Sequence, residues 1–199
     1  MGKTEFVSTP LFGSAIVADL PSNFADVSKL RQVPDNQEVY IDKDGFTSII
    51  FEICERVGPS GTTAEIDGKA LSTHLEELVG DDADTVRVWN TTDTQFSELP
   101  EGIPAYSLIA TQTPRPDPKA AASSAPDFTA IILTLLRLEK ESTDLLITIN
   151  VPHIKGEYDE EDVDLQLGKQ GQLIGDAVEY ASQIWATFQI KDWNLFNEV

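Results

Sequence analysis

The order of apolar and polar positions predicts a sheet layered with helices. Residues 14–21 and 38–42 predict two short strands, the first ended by Pro21. Residues 128–140 and 143–152 are apolar on both alternating faces, which is typical of central strands covered on two sides. The connection between these two strands is short and polar, so they are expected to form an antiparallel hairpin.

Three segments carry helical periodicity. In residues 45–58 apolar positions recur every three or four residues, and Gly58 is placed to end the predicted helix. Residues 69–82 predict a second helix, whose inward positions are Leu71, Leu75, Leu78 and Val79. The last helix has the clearest apolar stripe, made of Leu173, Ile174, Ala177, Ala181, Ile184, Trp185 and Phe188.

The remaining segments complete a largely antiparallel sheet. Residues 85–90 and 106–113 predict two further strands, and residues 188–196 an edge strand. Residues 114–126 are rich in Pro, Ala and Ser, which predicts a flexible loop between two strands. The length of 199 residues with 41% hydrophobic residues is typical of one globular domain, expected to span 1–199.

Charge narrows the range of partners. There are 34 acidic and 14 basic residues, which gives a formal net charge of −20. Such a surface repels phosphate backbones, so nucleic acid is not expected as a partner. It favours a protein with a basic face, although acidity can also serve solubility alone. No apolar run approaches the roughly 18 residues of a membrane span, and no secretory signal is visible at the start.

Motifs for catalysis and for cofactors fail on their spacing. A calcium loop through Gly45 would need ligands at Tyr40 and Phe51, which supply none. The chain has two histidines, His74 and His153, both expected to be structural or on the surface, and one cysteine, Cys54, expected to be a buried inert thiol. No nucleophile elbow or phosphate-binding loop is present. We therefore expect a binding protein without cofactors rather than an enzyme.

Residues 24–39 are the most informative stretch. They contain Phe24, Asp26, Ser28, Leu30, Arg31, Val33, Pro34, Asp35, Gln37, Glu38 and Val39 in a fixed order. A turn needs only the Pro-Asp-Asn of residues 34–36. The residues alone favour a structural role, in which Asp26 or Ser28 caps a turn and Arg31 pairs with Glu38. The alternative is a binding surface for a partner.

This block resembles the signature of the Mog family of Ran guanine-nucleotide release factors. The stretch "LFGSA" at residues 11–15 is similar to the start of that signature, with Ser14 in place of its usual glycine. The strand pair "LLRLEKESTDLLITINVP" at residues 135–152 is similar to a second part of it. Residues 58–126 carry no recognisable family motif.

The resemblance implies an α/β fold, a three-layer α/β/α sandwich with a mainly antiparallel central sheet, shared with the photosynthetic subunit PsbP. It implies a monomer, without nucleotide or metal cofactors, that binds the small GTPase Ran and releases its nucleotide in support of transport between nucleus and cytoplasm. Accessory Ran-binding proteins are left open as further partners. A PsbP-like ligand-binding or complex-binding module is the alternative.

Carried over by position, the resemblance assigns partner binding to the block itself. The residues implied are Asp26, Arg31, Asp35, Asn36, Gln37 and Glu38. Asp35 and Glu38 are expected to face solvent, with Pro34 stiffening the turn that presents Asp35.

Overall fold

The strands and helices of the protein are defined by a computed structural model, which describes residues 2–30, 32–119 and 125–198. In that part of the chain the elements are, in order, β1 (Phe6–Leu11), β2 (Ile16–Pro21), β3 (Phe24–Asp26), β4 (Gln37–Asp42), β5 (Ser48–Glu55), α1 (Ala64–Val79), β6 (Val86–Thr94), β7 (Ala105–Gln112), β8 (Phe128–Leu138), β9 (Thr143–His153), α2 (Gly171–Thr187) and β10 (Gln189–Ile190). Short 3-10 turns connect several of them.

The strands form two antiparallel sheets. Seven strands pair in the order β3-β4-β5-β9-β8-β7-β6, and β1, β2 and β10 form a smaller sheet. The predicted hairpin of two central strands is confirmed: β8 pairs with β9 over eleven residues, from Phe128 opposite His153 to Leu138 opposite Thr143. The predicted edge strand near the chain end is limited to the two residues of β10, which pair with β2.

Each face of the large sheet has its own apolar core. Along β8, Ile131, Leu133 and Leu135 pack with α1, and the alternate residues Ile132 and Leu136 pack on the side of α2. The small sheet adds its buried side chains to the α2 side. This alternation explains why β8 is apolar at almost every position. The three-layer α/β/α arrangement with an antiparallel sheet is confirmed.

The predicted helix over residues 45–58 is wrong. This segment contains β5, which lies between β4 and β9 and pairs with both. The buried side chains Ile49, Phe51 and Ile53 alternate along it, as a strand requires. Because β-branched residues are common here and both sides of the strand are paired, sheet packing overrides the apparent helical spacing. Asp44 and Thr47, at the start of the predicted helix, lie in the turn between β4 and β5.

Helix α1 begins where a hydroxyl side chain caps it. Thr63 Oγ1 accepts the Ile66 N–H at 3.2 Å, and Gly80 ends the helix with a φ of +56°. The helix was predicted over residues 69–82, so its true start is earlier. Leu71 and Leu75 are buried as predicted, but Leu78 is 42% exposed. Val79, the next residue, packs against the α1-side core as predicted.

A buried group of charged side chains joins α1 to the centre of the sheet. Arg137 on β8 donates to Asp144 on β9 at 2.8 and 3.0 Å and to Asp67 on α1 at 3.1 Å. His74 Nε2, also on α1, lies 2.8 Å from Asp144 Oδ2. Both guanidinium NH2 groups donate to the Val57 carbonyl oxygen at 3.0 Å. All four charged or titratable side chains are at most 1% exposed, so this group is an internal structural tie.

Part of the loop predicted at residues 114–126 lies outside the described residues, namely 120–124. Residues 114–119 are exposed and form neither helix nor strand. Arg115 forms an ion pair with Asp84 in the turn that follows α1. Among the described helices, none is both long and apolar enough to cross a membrane.

His153 is fully buried at the end of β9. Its ring stacks on Phe128 with 4.1 Å between centroids. Nδ1 lies 2.9 Å from the Val151 carbonyl oxygen, so it must carry the proton that it donates. Nε2 is buried without a hydrogen-bond partner among the described residues. Burial lowers the pKa of His153, against smaller opposing effects of the Val151 hydrogen bond and the Asp127 charge.

Replacing Arg137 with Met should strongly destabilise the fold, because two buried carboxylates would lose their cation. We expect a loss of about 3–5 kcal/mol in the free energy of unfolding, measured by urea denaturation. Lys69→Met is the matched control, since Lys69 pairs with Glu65 on the exposed side of α1 and should contribute less than about 0.5 kcal/mol. Equal stability of the Arg137 variant and the wild type would contradict a structural role.

Stability should also depend on pH through His153. The unfolded chain takes up a proton near the ordinary pKa of 6.5, whereas the folded chain resists it. The contribution of neutral His153 is therefore complete above pH 6.5 and declines as the pH falls below that value. Between pH 7.5 and 5.5 the decline in wild type should exceed that in His153→Phe, by at most about 1.4 kcal/mol per pH unit. Parallel pH profiles of the two proteins would refute this.

Candidate interaction surface at the β3–β4 loop

The first part of the β3–β4 loop, residues 27–36, is tied to β4. Asp26 Oδ1 accepts the Ser28 N–H at 2.9 Å, and Ser28 Oγ accepts the Val39 N–H at 3.1 Å. The Val27 N–H donates to the Val39 carbonyl oxygen at 3.0 Å. Asp26 therefore caps a turn, as the structural interpretation of the sequence expected. These bonds fix where the loop leaves the sheet.

The end of the loop is tied to β5 by Asn36. Its carbonyl oxygen accepts the Ile53 N–H and its side-chain amide donates to the Ile53 carbonyl oxygen, both at 2.9 Å. The Gln37 N–H donates to the Pro34 carbonyl oxygen at 2.9 Å, which closes a turn around Asp35. Asp35 itself is exposed. The loop thus presents this carboxylate from a turn that is fixed on both sides.

Glu38 makes the longest-range contact of the block. Its Oε1 accepts the Phe12 N–H at 2.6 Å, and its Oε2 accepts the Tyr40 hydroxyl at 3.2 Å. Phe12, Gly13 and Ser14 form the β1–β2 turn with φ values of +49°, +62° and +71°. Residues other than glycine rarely adopt such values, so the turn depends on outside support. Glu38 supplies part of that support.

The electrostatics around Glu38 disfavour its charge. Burial raises the pKa of Glu38, and the nearby Asp26 carboxylate raises it further. The Phe12 N–H, the Tyr40 hydroxyl and the Lys29 charge act in the opposite direction. Burial, followed by the Glu38 and Asp26 carboxylates, raises the pKa of Tyr40. Asp26 and Glu38 therefore form one acidic region, which lies between the β3–β4 loop and the β1–β2 turn.

The structure distributes the predicted site residues over two sides of the sheet edge. Asp26 and Glu38 lie towards the β1–β2 turn, whereas Gln37 lies on the opposite face beside Glu52. Asp35 is at the tip of the loop between them. Glu38 departs from the expectation of a solvent-facing side chain, because it is half-buried.

One prediction for this block is not tested by the structure, and two features of the block were not predicted. Arg31 lies outside the described residues, and so does its predicted pairing with Glu38. The contact between Glu38 and Phe12 was missed by sequence reasoning. The Gly-Ser pair at residues 13–14 was its one available signal, since it marks a tight turn next to a conspicuous acidic block. Leu30 was also missed: it is 80% exposed beside the acidic residues.

Comparison with known proteins places the chain in a family. A family model described as Ran-interacting Mog1 protein matches residues 9–152, well over half of the chain. The chain belongs to the Mog1 family. The match includes the β3–β4 loop and the β8–β9 hairpin, the two parts that carried the resemblance in the sequence.

Similar proteins agree with this membership. A Dictyostelium discoideum protein named probable ran guanine nucleotide release factor is 34% identical over 153 residues, which are 73% of either chain. The Homo sapiens Ran guanine nucleotide release factor is 34% identical over 145 residues, covering 72% of this chain and 74% of the relative. The Schizosaccharomyces pombe nuclear import protein mog1 is 31% identical over 150 residues, covering 71% and 75%.

Solved structures show the same fold. The crystal structure of the Saccharomyces cerevisiae Ran-binding protein Mog1p matches with a TM-score of 0.70 at 24% identity, covering 98% of this chain and 100% of that one. PsbP from Synechocystis matches with a TM-score of 0.50 at 12% identity, covering 95% and 94%. Both likenesses concern the fold, and they confirm the expected Mog/PsbP-like architecture.

Substitutions at Glu38 should separate its charge from its structural contact. Glu38→Ala removes the acceptor of the Phe12 N–H and should lower the free energy of unfolding by about 1–2 kcal/mol. Glu38→Gln keeps an acceptor oxygen and should be nearly neutral. Asp35→Ala, on an exposed side chain, should change stability by less than about 0.5 kcal/mol. Equal unfolding curves for Glu38→Ala and Asp35→Ala would contradict the anchoring role of Glu38.

Proposed function

We propose that this Mog1-family protein binds the small GTPase Ran and promotes release of its guanine nucleotide. Two of its relatives are named as Ran guanine nucleotide release factors, and another as a nuclear import protein. The fixed acidic region supports the assignment of this function to particular residues. In that region Asp35 is exposed at the tip of the loop, and Glu38 is held by the Phe12 N–H. The proposed surface is completed by Asp26, Arg31, Asn36 and Gln37.

The physical basis is competition for the groups that hold the nucleotide. A GTPase binds its nucleotide through a lysine, backbone amides and Mg²⁺ around the phosphates. A carboxylate brought close to these groups competes for the lysine or disturbs the metal, and so weakens nucleotide binding. Asp35 suits this role because its loop is tied to β4 and β5, so little further ordering is needed on binding.

The protein acts in this proposal as a regulator without catalytic residues of its own. Its one cysteine, Cys54, has a pKa raised to about 12 by burial and by the Glu52 carboxylate, so the thiol stays protonated and a poor nucleophile. His74 and His153 are engaged inside the fold. The net charge of −20 speeds the encounter with a basic partner surface at low salt. We infer a monomer acting in the nucleus and the cytoplasm.

The decisive experiment measures binding and nucleotide release with variants that leave the fold intact. Asp35→Asn and Glu38→Gln should each weaken Ran binding by about 1–3 kcal/mol and slow the release of a fluorescent guanine nucleotide from Ran. Glu98→Gln is the matched control, since this exposed carboxylate lies between β6 and β7, at the opposite edge of the sheet. Binding is compared for nucleotide-free, GDP-loaded and GTP-loaded Ran.

Linkage supplies an independent check of the same proposal. A factor that lowers the affinity of Ran for nucleotide must itself bind less tightly when nucleotide is bound. Excess nucleotide should therefore dissociate the complex, unless an accessory Ran-binding protein stabilises a ternary state. Folded Asp35→Asn and Glu38→Gln proteins that bind Ran and release nucleotide at the wild-type rate would refute the assignment of the loop. Failure of the wild type to bind Ran in any state would refute the function itself.

A further inference from the structure

A groove of about 260 Å³ opens next to the acidic loop, on the α1 side of the sheet. Gln37 and Glu52 form its side on β4 and β5, where they pair directly across the strands. His74, Glu77 and Leu78 form its side on α1. Because Gln37 directly follows the β3–β4 loop, the groove continues the proposed interaction surface without a break.

The wall of the groove contains the ring of His74, whose second nitrogen is available to accept a hydrogen bond. The His74 side chain is 1% exposed, and its Nε2 lies 2.8 Å from Asp144 Oδ2. Asp144 is a hydrogen-bond acceptor, because it also receives bonds from Arg137 and the Val57 N–H. In neutral His74 the proton is therefore on Nε2, and Nδ1 presents a lone pair.

That nitrogen has no partner within hydrogen-bonding distance among the described residues. Glu77 Oε2 lies 3.7 Å from it, which is too long for a hydrogen bond. Both side chains line the groove. A donor placed between them would hydrogen-bond to the ring nitrogen and the carboxylate together.

The charge of the remaining lining is acidic, beside the Gln37 amide and the Thr148 hydroxyl, which can both donate and accept hydrogen bonds. Glu52 and Glu77 contribute two carboxylates. Burial above all, and after it the Glu52, Asp144 and Glu77 carboxylates, raise the pKa of Cys54. Within the described part of the chain, no three His, Cys, Asp or Glu side chains are arranged to hold a metal ion. The occupant that fits is an organic cation with several N–H donors.

Apolar side chains complete the groove. Leu133 and Leu146 line it from the sheet, and the exposed Leu78 lines it from α1. An arginine side chain matches this combination, because its methylene stem packs on apolar surface while its planar guanidinium offers five N–H donors. The distribution of acceptors over two strands and a helix suits that fork better than the single ammonium of lysine.

We propose that this groove receives an arginine side chain of the protein partner, so that the interface runs from the β3–β4 loop across Gln37 to α1. The proposal rests on the proposed function, in which that partner is Ran. Glu52 and Glu77 bind the guanidinium, His74 Nδ1 accepts one of its N–H groups, and Leu78 covers the stem. This role accounts for the exposure of Leu78, which the apolar pattern of the sequence predicted to face inward.

The first test compares charge-neutral variants. The double variant Glu52→Gln with Glu77→Gln should weaken Ran binding at least about tenfold, measured as association and dissociation rates on immobilised Ran. Glu76→Gln is the matched control, because Glu76 is exposed on the same turn of α1 and is not part of the groove. Thermal unfolding of each variant establishes that it is folded.

The two proposals fail in different ways. If Asp35→Asn weakens Ran binding and the folded double variant binds like the wild type, the groove proposal is overturned and the function stands. If the wild type does not bind Ran, the proposed function falls with the interface. An effect of Glu76→Gln equal to that of the double variant would show general charge attraction and overturn the groove as a specific site.

The second test needs no partner. N-acetyl-arginine amide is titrated into the ¹⁵N-labelled protein, with N-acetyl-citrulline amide as its uncharged counterpart of similar shape. Arginine amide should shift the resonances of Gln37, Glu52 and Glu77 and the His74 ring nitrogens, and citrulline amide should not. Shifts that are absent, equal for the two probes, or unchanged in the double variant would overturn the proposal.

Discussion

Arg137 is buried between α1 and the β8–β9 hairpin, and the arrangement of the whole α1 side depends on its partners. A lone guanidinium at 1% exposure would be very costly, and so would the two carboxylates beside it. Each of these three buried charges is tolerated only because the opposite charges beside it offset the loss of solvation. Arg137 hydrogen-bonds to Asp67 in the first turn of α1, to Asp144 on the central strand β9, and to the Val57 carbonyl oxygen in the chain that follows β5. Three distant segments are thereby held in one geometry.

The same group fixes the orientation of His74, which lines the neighbouring groove. Asp144 accepts from His74, which fixes the tautomer of the neutral ring and leaves the other nitrogen as an acceptor, 3.7 Å from the Glu77 carboxylate. The orientation of His74 is thus a consequence of internal packing, since α1 is placed by Asp67 and Arg137. β5 is paired along its length with β9 and carries Glu52 into the groove. Side chains on such rigid elements stay in position before a partner arrives, which reduces the entropy lost on binding.

The sequence predicted the elements whose periodicity agrees with their burial. The apolar stripe of α2 and the continuous β8–β9 pair were identified correctly, because each is long and has one clear pattern. The segment of β5 failed because Ile49, Ile50 and Ile53 satisfy the spacing of a helix as well as that of a strand, and only pairing with β4 and β9 decides between them. Long-range polar contacts were beyond reach for another reason. Glu38 meets Phe12 across 26 positions, and Arg137 meets Asp67 across 70, so no local pattern contains either contact.

The candidate surface could be located from the sequence, but its shape could not. Alternation along β4 sends Gln37 to the α1 face and Glu38 to the opposite face, towards the β1–β2 turn. Asp35 stands at the tip of the loop before β4, between the two faces. This loop and the start of β4 therefore supply polar groups in three directions. In the interface that we propose, the partner therefore wraps around the edge of the sheet rather than lying on one face, so that it contacts both the acidic turn and the groove beside α1.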